Sequence, residues 1–138
     1  MTIKEDVFVD TSAWVALADK DDAHHKKAAS LYPSLLKNYK SLITSNLIIA
    51  ETYVLILNEL GHDAALKFIE GIRTSQRILK VYSTGEIEAD AEEILIKFTD
   101  QNFSYTDAVS FAIMKKQKIK KAFCFDKHFL IAGFESIL

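Results

Sequence analysis

Short runs of purely apolar residues, separated by longer stretches of helical periodicity, organise this chain. Val7-Phe8-Val9 contains no polar member and stops at Asp10, the pattern of a strand buried on both faces of a parallel sheet. Thr11-Ser12 opens a helical stretch from Ala13 to about Ala18, and Asp21 or Asp22 can cap a second helix reaching about Lys37. Ser41 to Thr44 predicts a short strand. Ser45-Asn46 then supplies caps for a strongly apolar helix from Leu47 to Leu60, ended by Gly61, and His62 to Thr74 predicts another helix. Ile78 to Tyr82 predicts a strand, Thr84 to about Thr99 a helix, and Ser104 to Lys116 a further helix. Ala122-Phe123-Cys124-Phe125 is a second buried-strand run, and it too stops at an aspartate, Asp126. Gly133 to Leu138 can add an edge strand. Strands alternating with helices predict a parallel sheet covered on both faces. The expected fold is α/β, an α/β/α sandwich with a short parallel sheet, formed as one domain across residues 1–138.

Bulk composition is consistent with that picture. At 138 residues, 49% hydrophobic and 26% charged, the chain can bury a real core. The start, Met1 to Asp6, is too polar for a signal-peptide core, and no apolar run approaches the ~20 residues needed to cross a bilayer. The one cysteine, Cys124, cannot form an internal disulfide and reads as a buried thiol, so a cytoplasmic address is expected. A net charge of −2 looks unfavourable for a nucleic-acid partner. The objection weakens once four acids are set aside for a site, because the remainder then carries +2.

Those acids are Asp10, Glu51, Asp107 and Asp126. Parallel sheets gather functional groups at the carboxyl ends of their strands. Asp10 and Asp126 each follow an apolar strand run, and Asp107 lies in the first turn of the helix leading into the second of those strands. All three are therefore expected at one end of the sheet. Glu51 sits in Leu47-Ile48-Ile49-Ala50-Glu51-Thr52-Tyr53-Val54-Leu55-Ile56-Leu57, apolar nearly all round and without a Lys or Arg, which predicts a buried carboxylate. A buried charge must be paired, protonated or metal-bound. Two carboxylates ~4 Å apart repel by roughly 4 kcal/mol at an effective dielectric of ~20, so a cluster of four calls for a cation. Oxygen ligands without His or Cys nearby favour Mg²⁺ or Mn²⁺ over zinc.

Each acid also has a plainer reading. Asp10 and Asp126 can cap the segments that follow them, Ser104-x-x-Asp107 matches a capping box, and Glu51 can face a partner subunit. One metal site accounts for all four together. The basic run from Lys115 to Lys121 joins the Asp107 helix to the strand before Asp126, which puts it at the opposite end of the sheet. Lys127 and His128 directly follow Asp126 and are better placed to contact a phosphate. His24-His25 reads as a solvated face, and Trp14 and Tyr53 as core or dimer-interface residues. The apolar excess of the Glu51 helix predicts a homodimer.

The stretches Val7-Phe8-Val9-Asp10-Thr11-Ser12-Ala13-Trp14, Thr44-Ser45-Asn46-Leu47-Ile48-Ile49-Ala50-Glu51-Thr52, Ser104-Tyr105-Thr106-Asp107-Ala108-Val109-Ser110-Phe111-Ala112 and Phe123-Cys124-Phe125-Asp126-Lys127-His128-Phe129 resemble the PIN-domain family. The likeness is greatest to VapC-type toxins of toxin–antitoxin pairs, and it spans essentially the whole chain with every acid in order. It implies an endoribonuclease that hydrolyses phosphodiester bonds of single-stranded or structured RNA with Mg²⁺ or Mn²⁺. By the same resemblance, Asp10, Glu51, Asp107 and Asp126 hold the metal, while Thr11, Ser12 and Thr106 support the site through hydrogen bonds. A homodimer and a small cognate antitoxin are the implied partners. An RNA-processing nuclease outside a toxin pair, or a non-catalytic PIN module that binds RNA or a partner, shares most of these features. A phosphatase or receiver domain built on an Asp after the first strand fits poorly. The phosphatase wants a second acid two positions on, where this chain has Ser12, and neither accounts for Glu51.

Overall fold

The runs that lack polar residues form the middle of the sheet. In a computed structural model describing residues 4–138, β1 (Val7–Val9) and β2 (Leu42–Ser45) are buried at every position. β4 (Lys121–Phe123) is buried past its first residue. Strands buried on both faces require helices on both sides, and this is why they show continuous rather than alternating hydrophobicity. β3 (Ile78–Val81) and the two-residue β5 (Glu135–Ser136) lie at the two edges. All four pairings in the order β3-β2-β1-β4-β5 are parallel. The predicted α/β sandwich is what forms.

Seven helices among the described residues connect and cover these strands: α1 (Thr11–Ala18), α2 (His25–Asn38), α3 (Asn46–Leu60), α4 (His62–Thr74), α5 (Gly85–Lys97), α6 (Tyr105–Gln117) and α7 (His128–Ile131). Local chemistry sets their limits. The Ser45 hydroxyl accepts the Ile48 N–H at 3.1 Å to start α3. Gly61, at φ 94°, separates α3 from α4 in a backbone region that L side chains rarely adopt. Phe8, Phe111 and Phe129 meet through their rings in the core, with centroids 6.1 Å (Phe8–Phe129) and 5.0 Å (Phe111–Phe129) apart. No helix among the described residues is long and apolar enough to cross a membrane.

Several boundaries differ from expectation. α1 begins at Thr11, two residues early, because Asp10 rather than a later residue caps it. Asp22 does not cap α2; its carboxylate accepts the His24 N–H at 2.8 Å and shapes the preceding turn. β4 ends at Phe123, leaving Cys124 and Phe125 outside the ladder although Cys124 is buried as expected. Burial, followed by the charges of Asp10 and Asp126, pushes the Cys124 thiol up to about 12. The short helix α7 was not anticipated. The polar start read at Met1 to Asp6 falls partly on residues 1–3, outside the described residues.

β1 has β2 and then β3 on one side and β4 on the other, so successive connections leave it in opposite directions. The carboxyl ends of β1 and β4 are thus the switch point of the sheet, where a crevice opens in parallel α/β folds. The chain that follows each of these strands carries an aspartate into that crevice.

Candidate active site

Asp10 directly extends β1: its backbone N–H donates to the Phe123 carbonyl at 3.0 Å, carrying the β1–β4 ladder one residue further. Its carboxylate accepts the Ser12 hydroxyl at 2.9 Å and, more weakly, the Ser12 N–H at 3.4 Å, so it caps α1 while facing the cleft. The capping and site readings of Asp10 are therefore compatible. Only 4% of the residue is exposed. Burial, and next among the raising causes the charge of Asp107, lifts its pKa from 3.8 to about 6, with Ser12 opposing the rise.

Ser12 also ties the two strand ends together. Its hydroxyl accepts the Phe125 N–H at 2.9 Å across the gap between β1 and β4. This bond fixes the loop that presents Asp126.

Asp107 lies in the first turn of α6 and completes a capping box with Ser104. The Asp107 N–H donates to the Ser104 hydroxyl at 3.0 Å and the Ser104 N–H donates back to Asp107 Oδ2 at 3.1 Å. The same Oδ2 stands 3.1 Å from His128 Nδ1. Asp126 accepts the His128 backbone N–H at 2.9 Å, and its Oδ1 lies 3.3 Å from the same ring nitrogen. Asp107, Asp126 and His128 each offer one ligand atom, and these atoms lie within 4.8 Å of one another.

Asp10, Thr11, Ser12, Glu51, Asp107, Asp126 and His128 line one open cleft of about 430 Å³. Glu51 departs from its expected environment. It is half-buried at the cleft rather than enclosed, because much of the apolar surface of α3 is not core: Val54 is 50% and Leu55 45% exposed. Continuous hydrophobicity here marks an unpartnered face, not an all-round burial. The strongest burial falls on Asp10 instead.

The supporting residues divide. Thr11 lines the cleft with its hydroxyl buried and without a hydrogen-bond partner. Thr106 is not among the cleft residues; its carbonyl accepts the Ser110 hydroxyl at 2.9 Å. Lys127 is exposed at the start of α7 and also lies outside the cleft wall, whereas His128 turns inward. The absence of histidine near the acids, used above to disfavour zinc, is corrected by His128. Its position directly after Asp126 marked it in the sequence as a phosphate contact; the structure sets its Nδ1 beside the carboxylates of Asp107 and Asp126. His24 is exposed, yet its ring stacks on Phe125 with centroids 4.4 Å apart at 12° and it lines the cleft. A solvated face describes it incompletely, and no local pattern links it to Phe125, a hundred residues away. Trp14 packs edge-on against Tyr32 and Phe68, as a core residue should. The basic run ends where β4 begins and contributes nothing to the cleft, as its connection between α6 and β4 required.

The site can therefore collect negative charge that only a cation or protons would relieve. Buried carboxylate oxygen, an orphaned threonine hydroxyl and an open face suit a divalent ion and an anionic ligand.

Comparison with known proteins gives the same direction. The PIN domain family model matches residues 7–135. The chain is 37% identical over 131 residues to a Mycobacterium tuberculosis protein named 23S rRNA-specific endonuclease VapC20, covering 95% of this chain and 97% of that one. An Archaeoglobus fulgidus protein named VapC ribonuclease is 28% identical over 115 residues, covering 81% of this chain and 72% of its own. The crystal structure of Mycobacterium tuberculosis VapC20, described as a Sarcin-Ricin loop cleaving toxin, superposes with a TM-score of 0.86 over 93% of this chain and 95% of that one. FitAcB from Neisseria gonorrhoeae matches with a TM-score of 0.65 over 96% of each chain at 16% identity, a likeness of fold alone.

Proposed function

The chain belongs to the PIN-domain family, and from that premise we propose that it is a VapC-type endoribonuclease that depends on Mg²⁺ or Mn²⁺, with residues 1–138 acting as one nuclease domain. The observation that carries the reading is the shared cleft: Asp10, Glu51, Asp107 and Asp126 arrive from four different elements, with the unpartnered Thr11 hydroxyl beside them. An inert binding module would be expected to lose one or more of these acids, and all four are present.

A divalent cation held by these acids would lower the pKa of a bound water and neutralise charge developing on a phosphate. The protein's own part is positioning. Asp10 and Asp107 supply the most buried carboxylates, Ser12 locks the Asp126 loop to the end of β1, and the Ser104 box fixes the rotamer of Asp107. Thr11 lines the same cleft, with its hydroxyl buried and without a hydrogen-bond partner. The open mouth of the cleft admits a flexible, single-stranded or looped RNA more readily than a rigid duplex. Hydrolysis of this kind uses no 2′-hydroxyl, so preference for RNA must come from contacts outside the acids.

The 23S rRNA specificity in the name of the mycobacterial relative makes that RNA the first substrate to test. We read the exposed Val54, Leu55, Leu60 and Leu66 on α3 and α4 as the apolar surface of a homodimer, and a small cognate antitoxin as the second partner. Purified protein incubated with labelled RNA should cleave it with Mn²⁺ or Mg²⁺ and not with chelator. Asp10→Asn, Glu51→Gln and Asp107→Asn should each lower cleavage at least ~100-fold, the scale lost when preorganised charge stabilisation is removed. Undiminished cleavage in any two of the three would overturn the proposal.

A further inference from the structure

We propose that His128 is a nitrogen ligand of the divalent cation, making the centre a mixed oxygen–nitrogen site. This rests on the metal-site reading above and extends it by one ligand. Adjacent ligands of an octahedral ion at ~2.1 Å from the metal stand about 3.0 Å apart. His128 Nδ1 lies 3.1 Å from Asp107 Oδ2 and 3.3 Å from Asp126 Oδ1, so two edges of such a shell are already close to that spacing.

The ring is held there by more than the acids. Its backbone N–H is bound by Asp126, and the edge of Phe103 packs against it at 5.3 Å and 75°. The next residue, Phe129, is fully buried against Phe8 and Phe111, which anchors α7 and prevents the imidazole from drifting outward. The ring nitrogen that stands between the two carboxylates is Nδ1.

Imidazole changes selectivity. An all-oxygen set suits Mg²⁺ and Mn²⁺ alike, whereas an imidazole donor favours transition ions, Mn²⁺ the least of them, over Mg²⁺. His128 would therefore bias the centre toward Mn²⁺ relative to Mg²⁺.

The test needs no RNA. Mn²⁺ is added to the full chain and pulsed electron paramagnetic resonance reads nitrogen hyperfine coupling, while Mn²⁺ and Mg²⁺ affinities are measured by calorimetry. The expected result is a nitrogen coupling in the wild type that persists in His24→Ala and vanishes in His128→Ala. In His128→Ala the Mn²⁺ affinity should fall about ten-fold, a loss typical of altered metal-site surroundings, and the Mg²⁺ affinity by less. The wild-type spectrum decides even if the variant folds poorly. Mn²⁺ bound through oxygen alone, or a coupling lost only in His24→Ala, would overturn the proposal and leave the carboxylate site standing. Mn²⁺ that fails to bind the wild type, or binds Asp107→Asn undiminished, would overturn the metal-site reading itself.

Discussion

Replacing Asp10 by Asn should stabilise the metal-free protein while weakening the proposed metal site. Asp10 is 4% exposed, and burial with the neighbouring Asp107 charge raises its pKa from 3.8 to about 6. The folded state therefore binds a proton more tightly than the unfolded state. Stability associated with this group is fully present below about pH 4 and is lost as pH rises through about 6. A rise of roughly two units corresponds to about 3 kcal/mol at pH 7 and above. Asn carries no charge and caps a helix as well as Asp does, so the Ser12 hydroxyl keeps its acceptor. Asp10→Asn should therefore gain on the order of 1–3 kcal/mol in chelator at pH 7.5, or roughly 3 °C in melting temperature per kcal/mol for a chain of this size. The assay is thermal or urea unfolding of both proteins in EDTA between pH 4 and 8. The gain should be near zero at pH 4 and grow with pH. A variant less stable than the wild type throughout, or a difference independent of pH, would refute the argument that a desolvated carboxylate sits at the end of β1.

Three further outcomes follow from the same geometry. Mn²⁺ at 100 times its dissociation constant should stabilise the wild type by about 2.7 kcal/mol and close most or all of its gap to Asp10→Asn; unfolding curves with and without the ion measure this. Ser12→Ala removes the acceptor of the Phe125 N–H and a donor to Asp10. It should cost about 1–3 kcal/mol in urea unfolding and lower metal affinity, since the Asp126 loop loses its tie to β1. Phe129→Ala empties a fully buried site between Phe8 and Phe111 and should cost ~3–5 kcal/mol by the same measurement, with weaker Mn²⁺ binding because α7 carries His128.

How much of this was legible beforehand depends on the range of the interaction responsible. Val7-Phe8-Val9 and Ala122-Phe123 could be read as buried strands because burial on both faces erases alternation, and that is a local fact of composition. Caps such as Ser45 and Ser104 are equally local, since donor and acceptor lie three residues apart. The acids at Asp10 and Asp126 were found because strands of a parallel sheet end together, a rule of topology that needs only the order of elements. Asp107 followed from the direction of its helix. What sequence pattern could not settle was which faces of an element meet the core. The helix carrying Glu51 is apolar on nearly all sides, and hydrophobicity by itself cannot separate a core face from one left open for another subunit; only the packing shows Val54 and Leu55 outside and Glu51 at the rim.

Contacts between distant residues were beyond pattern altogether. The Ser12–Phe125 bond spans 113 positions, and the His24–Phe125 stack depends on where the α1–α2 connection crosses the end of β4. His128 was visible as a neighbour of Asp126, but its inward turn depends on Phe129 filling the core and pulling α7 with it. Strand order, caps and hydrophobic runs determined that carboxylates would converge at one end of this sheet. Tertiary packing decided how deeply each is buried, which of them sit within reach of one ion, and that an imidazole stands among them, because desolvation and ligand spacing are properties of the assembled cleft rather than of any segment that enters it.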